Sequence, residues 1–172
     1  QHGGFIEVDS SEGEGTTFHL YFPVVDEVQN DEPMVYASSK LPGGTEQILY
    51  VDDEEMLAEL AEEMLTPAGY EVSIMSDSVE ALKLFRENAE LIDLLITDQT
   101  MPGLTGIELI AEIKKIKPQM PVILCTGHSS KVNNENAHQQ GVDAYLEKPL
   151  EQEQLLQTVR QELDAKIAQN QH

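Results

Sequence analysis

Two spacings of hydrophobic residues alternate along most of this chain. From Glu46 onward, short aliphatic runs of strand length give way to segments whose apolar residues recur every three or four positions. Gln47-Ile48-Leu49-Tyr50-Val51 is the first such run, and the segment after it sets Met56, Leu57, Leu60, Met64 and Leu65 on one helical face until Pro67-Ala68-Gly69 stops it. Tyr70 to Met75 predicts a second strand, and Val79 to Glu87 a second helix with Leu82 and Phe85 inward. Ile92 to Thr97 predicts the third strand, followed by a helix carrying Ile107, Ile110, Ile113 and Ile116 that ends before Pro118. Pro121 to Thr126 is the fourth strand and Val142 to Leu146 the fifth. Between them, residues 129–140 predict a polar helix with Val132 and Ala137 as its apolar positions. A last helix, from Glu151 to about Ala168, repeats Leu156, Val159, Leu163 and Ile167.

Strict strand–helix alternation implies an α/β domain: a doubly wound, five-stranded parallel sheet with helices on both faces. Strands one, three and four are almost wholly aliphatic, as expected where both faces of a sheet are covered. The first 23 residues read differently. Phe5-Ile6-Glu7-Val8 and Thr16 to Phe22 flank the polar, Gly-rich Asp9 to Gly15, the pattern of a short β-hairpin, which alone is marginal in water. Residues 24–45 are acidic and punctuated by Pro and Gly, the composition of a linker. The expected organisation is therefore hairpin 1–23, linker 24–45 and α/β domain 46–168. The opening Gln1-His2-Gly3-Gly4, without an initiator Met, reads as a segment cut from something longer.

Charge narrows the partners. Ten basic residues face 32 acidic ones, a formal net of −22. Such a chain is repelled by nucleic acid and by anionic membrane surfaces, so neither is an expected partner. No apolar run is long enough to span a bilayer, and there is no secretory signal. The single cysteine, Cys125, excludes an internal disulfide and suits a reducing cytoplasm, and its apolar setting MPVILCT predicts a buried structural thiol.

In doubly wound sheets the site lies at the carboxyl ends of the strands. The first strand ends in Asp52-Asp53, the third in Asp98, the fourth in Thr126-Gly127, and the fifth leads into Lys148-Pro149. Three acids gathered together repel unless a cation offsets them, and an all-oxygen set suits Mg²⁺. A metal-bound carboxylate can attack a phosphoryl group to give a mixed anhydride, with Lys148 and Thr126 pairing to the carboxylate or to phosphate oxygens. Singly, each residue also has a plain reading: Asp52 or Asp53 as a helix cap, Asp98 as a turn cap, Thr126 as a strand end, Lys148 as a solvated charge.

Together these residues carry a resemblance. With Met101-Pro102-Gly103 behind Asp98, residues from about Glu46 to Ala165 resemble the receiver domain of bacterial two-component response regulators, which has a flavodoxin-like fold. The resemblance implies that Asp98 accepts a phosphoryl group from a kinase histidine. It implies Mg²⁺ contacts from Asp52, Asp53, Asp98 and the Thr100 backbone carbonyl, and neutralisation of the phosphate by Lys148. It implies a cis bond between Lys148 and Pro149, and a switch in which Thr126 moves toward the phosphate and Tyr145 turns inward. The face built from the polar fourth helix, the fifth strand and the last helix would pass that change to a partner. Thr100 and His128 stand where the family tunes the lifetime of the phosphorylated state, and His128 reads as an exposed loop residue rather than a catalytic one.

The first 23 residues resemble a second family. Gly3 to Ser10, then Gly13-Glu14-Gly15-Thr16-Thr17-Phe18, then Tyr21-Phe22-Pro23, look like the closing hairpin of a histidine kinase ATP-binding domain. The nucleotide motifs and a phosphoacceptor histidine are missing, so this segment is not expected to bind ATP or autophosphorylate. Hairpin, linker and receiver in this order imply part of a hybrid sensor histidine kinase, whose parent would be membrane-anchored. The expected partners are a kinase phosphoacceptor domain, in cis or in trans, and a histidine phosphotransfer protein for onward relay. The orphan hairpin is expected to be disordered, to pack on the receiver, or to pair with a second copy in a dimer. Two other classes compete: a Mg²⁺-dependent phosphatase with an aspartyl nucleophile, opposed by Thr100 where such enzymes place a second acid, and a receiver-like interaction module without phosphorylation.

Overall fold

A computed structural model describes residues 4–11, 13, 15–23, 41–127 and 141–169. They belong to two compact units, Gln1–Ser38 and Ser39–His172.

In the first unit β1 (Phe5–Ser11) and β2 (Gly15–Tyr21) pair antiparallel, from Phe5 opposite Tyr21 to Ser11 opposite Gly15. Side chains alternate across a strand, so the hairpin has two unlike faces. Ile6 and Val8 stand opposite Leu20 and Phe18 on the apolar face. The other face carries Phe5 stacked on Tyr21, with ring centroids 4.5 Å apart, and His19 lying 3.4 Å from the Asp9 carboxylate. Phe5, Ile6, Val8, Phe18, Leu20, Tyr21 and Phe22 are all exposed.

The second unit is the expected α/β domain. Its elements run β3 (Gln47–Val51), α1 (Glu55–Leu65), β4 (Glu71–Met75), α2 (Ser78–Asn88), β5 (Leu94–Asp98), α3 (Gly106–Ile116), β6 (Val122–Thr126), β7 (Ala144–Glu147) and α4 (Gln152–Gln169). The five strands form one parallel sheet in the order β4-β3-β5-β6-β7. After β3 the chain steps to one side to make β4, then crosses to the other side for β5. That reversal opens a crevice at the carboxyl ends of β3 and β5. The expected helix over 129–140 and His128 lie outside the described residues.

Strand alternation divides the interior in two. Ile48, Tyr50, Leu94, Ile96, Ile123, Cys125 and Leu146 pack with α1 and α4 on one face of the sheet. Leu49, Val51, Leu95, Val122 and Leu124 pack with α2 and α3 on the other. Cys125 is fully buried, as expected, and burial pushes its thiol up to about 12.

Three helices seat themselves differently from their hydrophobic spacing. On α1 the buried face is Ala58, Ala61 and Leu65, whereas Met56 is 82% and Leu60 44% exposed. Small alanines let the helix lie close to the sheet, and a periodicity counted on large side chains does not register them. On α3 the inward residues are Leu109, Ile110 and Ile113, and on α4 they are Leu155, Leu156, Val159 and Leu163. Ile116 and Ile167 are exposed, because they fall in last turns where the helix has outrun its cover.

Residues 41–46 are tied to this unit before β3 begins. The Gly44 amide donates to the Ala68 carbonyl at 3.2 Å. Arg160 on α4 donates to Glu46 Oε1 at 2.8 Å and to the Gly43 carbonyl at 3.4 Å. A Cβ at Gly43 would lie 2.2 Å from the Ala68 carbonyl oxygen, so the strap requires glycine there. Removing the guanidinium in Arg160→Ala is expected to cost about 1–2 kcal/mol, since a charge-assisted bond is lost at a half-shielded site. Urea unfolding checks this, and an unchanged midpoint would show that the strap contributes nothing.

Candidate functional site

Hydrogen bonding in the sheet continues past the strand ends and so aims the residues that follow. The Asp52 amide donates to the Met75 carbonyl at 3.0 Å, Gln99 to Cys125 at 3.0 Å, and Lys148 to Thr126 at 2.9 Å. Each backbone is therefore fixed one residue beyond its own strand, where the crevice opens.

Lys148 is the centre of the arrangement. Its Nζ lies 2.7 Å from Asp52 Oδ2 and 2.7 Å from Asp98 Oδ1. Asp52 is fully buried and Asp98 nearly so. The remaining acceptors are engaged too: Asp52 Oδ1 accepts the Glu54 amide at 3.1 Å, and Asp98 Oδ2 accepts the Thr100 amide at 2.6 Å. The Tyr50 hydroxyl makes a longer approach to Asp52 Oδ2, at 3.5 Å. Burial lifts the Asp52 carboxyl above its ordinary value, with Lys148 and the Glu54 amide opposing. At Lys148, burial disfavours the charged form but the two carboxylates outweigh it, and its pKa is raised. Both contacts, at 2.7 Å, are of ion-pair length.

The sequence-derived residues are brought together unequally. Asp52, Asp98 and Lys148 meet. Asp53 does not join them: it is exposed and lines an open depression with Glu54, Met56, Asp77 and Pro102. Among the described residues, no three acidic or other metal-ligating side chains gather as a preformed cluster. The lysine ammonium already occupies the space between two of the acids. Thr126 ends β6 half-buried, one strand over from Asp98, and Thr100 is exposed on the loop after β5. Tyr145, on β7, is half-buried with its hydroxyl inside and without a hydrogen-bond partner among the described residues. The Lys148–Pro149 bond is cis. Asp52 is no helix cap, because α1 begins at Glu55 with Glu54 in the capping position, and the Asp52 carboxylate bonds only the Glu54 amide ahead of it.

Two contributors escaped the sequence reading. Tyr50 sits beneath Asp52, and its signal was a phenol within the aliphatic run Ile48 to Val51, two residues before the acid. Ser78, at the start of α2, bonds the loop after β5 and has no local signal, since that contact spans 24 residues.

The doubly wound sheet with a lysine-bridged pair of acids at its switch point has counterparts among known proteins. Residues 48–160 match the response regulator receiver domain family. The chain belongs to that family. It is 30% identical over 171 residues to the sensor kinase CckA of Brucella abortus, covering 95% of this chain and 18% of that protein. It is 38% identical over 117 residues to the transcriptional regulatory protein GlrR of Escherichia coli, covering 68% of this chain and 26% of that protein. The chain thus spans about a quarter or less of these relatives. Among solved structures, a response regulator receiver domain protein from Clostridium thermocellum superposes with a TM-score of 0.68 at 37% identity, over 72% of this chain and 98% of that one. A CheY-like receiver domain protein from Methanospirillum hungatei gives 0.66 at 30% identity, over 73% and 99%.

The bridge yields a signed prediction. Replacing Lys148 with Met leaves Asp52 and Asp98 facing each other in a buried space without a counter-charge. Without added metal, the variant should lose about 3 kcal/mol of stability at neutral pH. A carboxyl whose folded pKa is raised contributes stability that is full below its unfolded pKa and is lost as pH rises through the folded value. The deficit relative to wild type should therefore shrink as pH falls through the carboxylate range. Urea unfolding at pH 7 and pH 5 measures it, and a deficit independent of pH would mean that the acids do not carry it.

Proposed function

We propose that residues 46–168 act as a phosphoacceptor: an Asp98 carboxylate oxygen attacks the phosphorus of a kinase phosphohistidine. The P–N bond breaks, an acyl phosphate forms, and the leaving imidazole takes up a proton. The carrying observation is the Lys148 ammonium at 2.7 Å from both Asp52 and Asp98. It supports Asp98 as acceptor, because a cation already stands where charge would accumulate and the second acid holds that cation in place. Lys148 neutralises the phosphate, and Thr126 donates its hydroxyl to a phosphate oxygen. Tyr145 completes the switch by changing rotamer, which its unpartnered hydroxyl leaves free of any bond among the described residues.

The donor set fits Mg²⁺, since every candidate ligand is oxygen: Asp52, Asp98, the Thr100 carbonyl, and Asp53 directly or through water. When bound, Mg²⁺ would supply charge neutralisation for the transferring phosphoryl group. Asp53 at the exposed rim, beside Pro102, is where a partly hydrated ion would be met first.

The wider reading is a hybrid sensor histidine kinase, with 1–23 as the closing hairpin of its ATP-binding domain, 24–45 as linker, and 46–168 as receiver. The match to CckA over 95% of this chain supports it, because that match extends through the hairpin segment. In that setting the phosphodonor is a kinase histidine in cis or in trans, and a histidine phosphotransfer protein takes the phosphoryl onward. A two-faced hairpin whose apolar face carries Ile6, Val8, Phe18 and Leu20 suits one edge of a larger sheet. Among the described residues no helix is long and apolar enough to cross a membrane.

Incubation with acetyl phosphate and Mg²⁺, followed by intact-mass measurement, tests the acceptor. A gain of one phosphoryl group is expected in the wild type and none in Asp98→Asn. No gain in either would favour an interaction module that signals without phosphorylation.

A further inference from the structure

Ser78 is the first residue of α2, directly after the Asp77 cap, and it is completely buried. Its hydroxyl does not serve its own helix. It donates to the Pro102 carbonyl at 2.9 Å and accepts the Leu104 amide at 2.8 Å, so one oxygen bridges both ends of the turn centred on Gly103. Gly103 adopts φ +82, and a Cβ there would lie 3.2 Å from the Ser78 oxygen and from Val79 Cγ2. The turn is therefore drawn against α2 closely enough to want glycine.

This turn belongs to the loop that leaves Asp98. Upstream, the loop is held by the Gln99 amide on the Cys125 carbonyl and by the Thr100 amide on Asp98 Oδ2. Downstream, the Gly106 amide returns to the Gln99 carbonyl at 3.0 Å. Two side-chain hydrogen bonds tie residues 99–104 to α2, and both are made by the Ser78 hydroxyl. Met101 adds a buried apolar anchor, but an apolar contact sets depth and not the direction in which carbonyls face.

We infer that Ser78 is a positioning residue for the phosphoacceptor site: its bridge across the Pro102–Leu104 turn holds the 99–104 loop, and with it the Thr100 carbonyl and the Asp98 carboxylate, in the geometry that receives a cation. Its relevance to phosphoryl transfer rests on the function proposed above. Ser78 touches neither cation nor phosphoryl group. Outer partners that orient ligands typically change metal affinity by about 10–100-fold when removed.

The test uses the whole chain as Ser78→Ala and as the near-isosteric Ser78→Cys, which keeps the volume while weakening both bonds. Arg160→Ala serves as a control destabilised far from the loop. Two measurements need no phosphorylation: amide hydrogen exchange at Thr100 and Leu104 without metal, and Mg²⁺ titration followed by backbone amide shifts. A third is the rate of labelling by acetyl phosphate against Mg²⁺ concentration. Faster exchange confined to 99–104 and about tenfold weaker Mg²⁺ binding are expected in both Ser78 variants. The labelling loss should appear in the Mg²⁺ half-saturation and not in the limiting rate, and Arg160→Ala should match wild type in all three. Unchanged Mg²⁺ affinity in the Ser78 variants, or an equal loss in Arg160→Ala, would overturn the inference. A wild type that binds Mg²⁺ but is never labelled would sink the proposed function while leaving the bridge to be judged by exchange and titration.

Discussion

One ammonium held between two buried carboxylates organises this molecule's chemistry. Asp52 and Asp98 are both buried, where water screens neighbouring carboxylates poorly. Lys148, 2.7 Å from each, makes both charges tolerable at once. The same contact links the ends of three strands, β3, β5 and β7, which have no covalent reason to meet. A site of this kind is preorganised yet under electrostatic tension. Any added cation or phosphoryl group changes the balance among the three charges, and the lysine has to redistribute its bonds.

The sheet makes that arrangement affordable to the fold. Its backbone ladder continues to Asp52, Gln99 and Lys148, so the charged residues begin where the rigid frame ends. Both faces are sealed by apolar helices, which keeps solvent from entering behind the site. Among the described residues, an open depression at the strand ends runs past the exposed Asp53, next to the loop braced by Ser78. Under the proposed function, an incoming partner meets an acidic rim first and the lysine-bridged pair second.

Much of the fold was legible from local pattern, for identifiable reasons. The run Gln47–Val51 was read with the bounds the structure gives it, because four of its five residues are buried apolar or aromatic side chains covered on both faces of the sheet. Leu82 and Phe85 were read as inward and are buried. Met56, Leu60, Ile116 and Ile167 were read as inward and are not, because hydrophobic spacing identifies a stripe but not how the helix is rolled or where its cover ends. At the site, strand-end position was enough to nominate Asp52, Asp98 and Lys148. It nominated Asp53 equally, though neighbours on a chain leave a strand in different directions and only one of the two acids enters the buried trio.

The sequence by itself determined the alternation of strands and helices, the acidic character, and which residue types stand at the carboxyl ends of the strands. Those are properties of periodicity and composition, carried within a few residues of chain. Tertiary structure alone decided that Lys148 bridges Asp52 and Asp98, that Tyr50 underlies Asp52, and that Ser78 braces the turn at Gly103. The lysine and serine contacts join residues on different elements, and all three depend on the sheet order β4-β3-β5-β6-β7 and the pleat of its strands. Strand order is a global outcome of packing, and no local spacing encodes it.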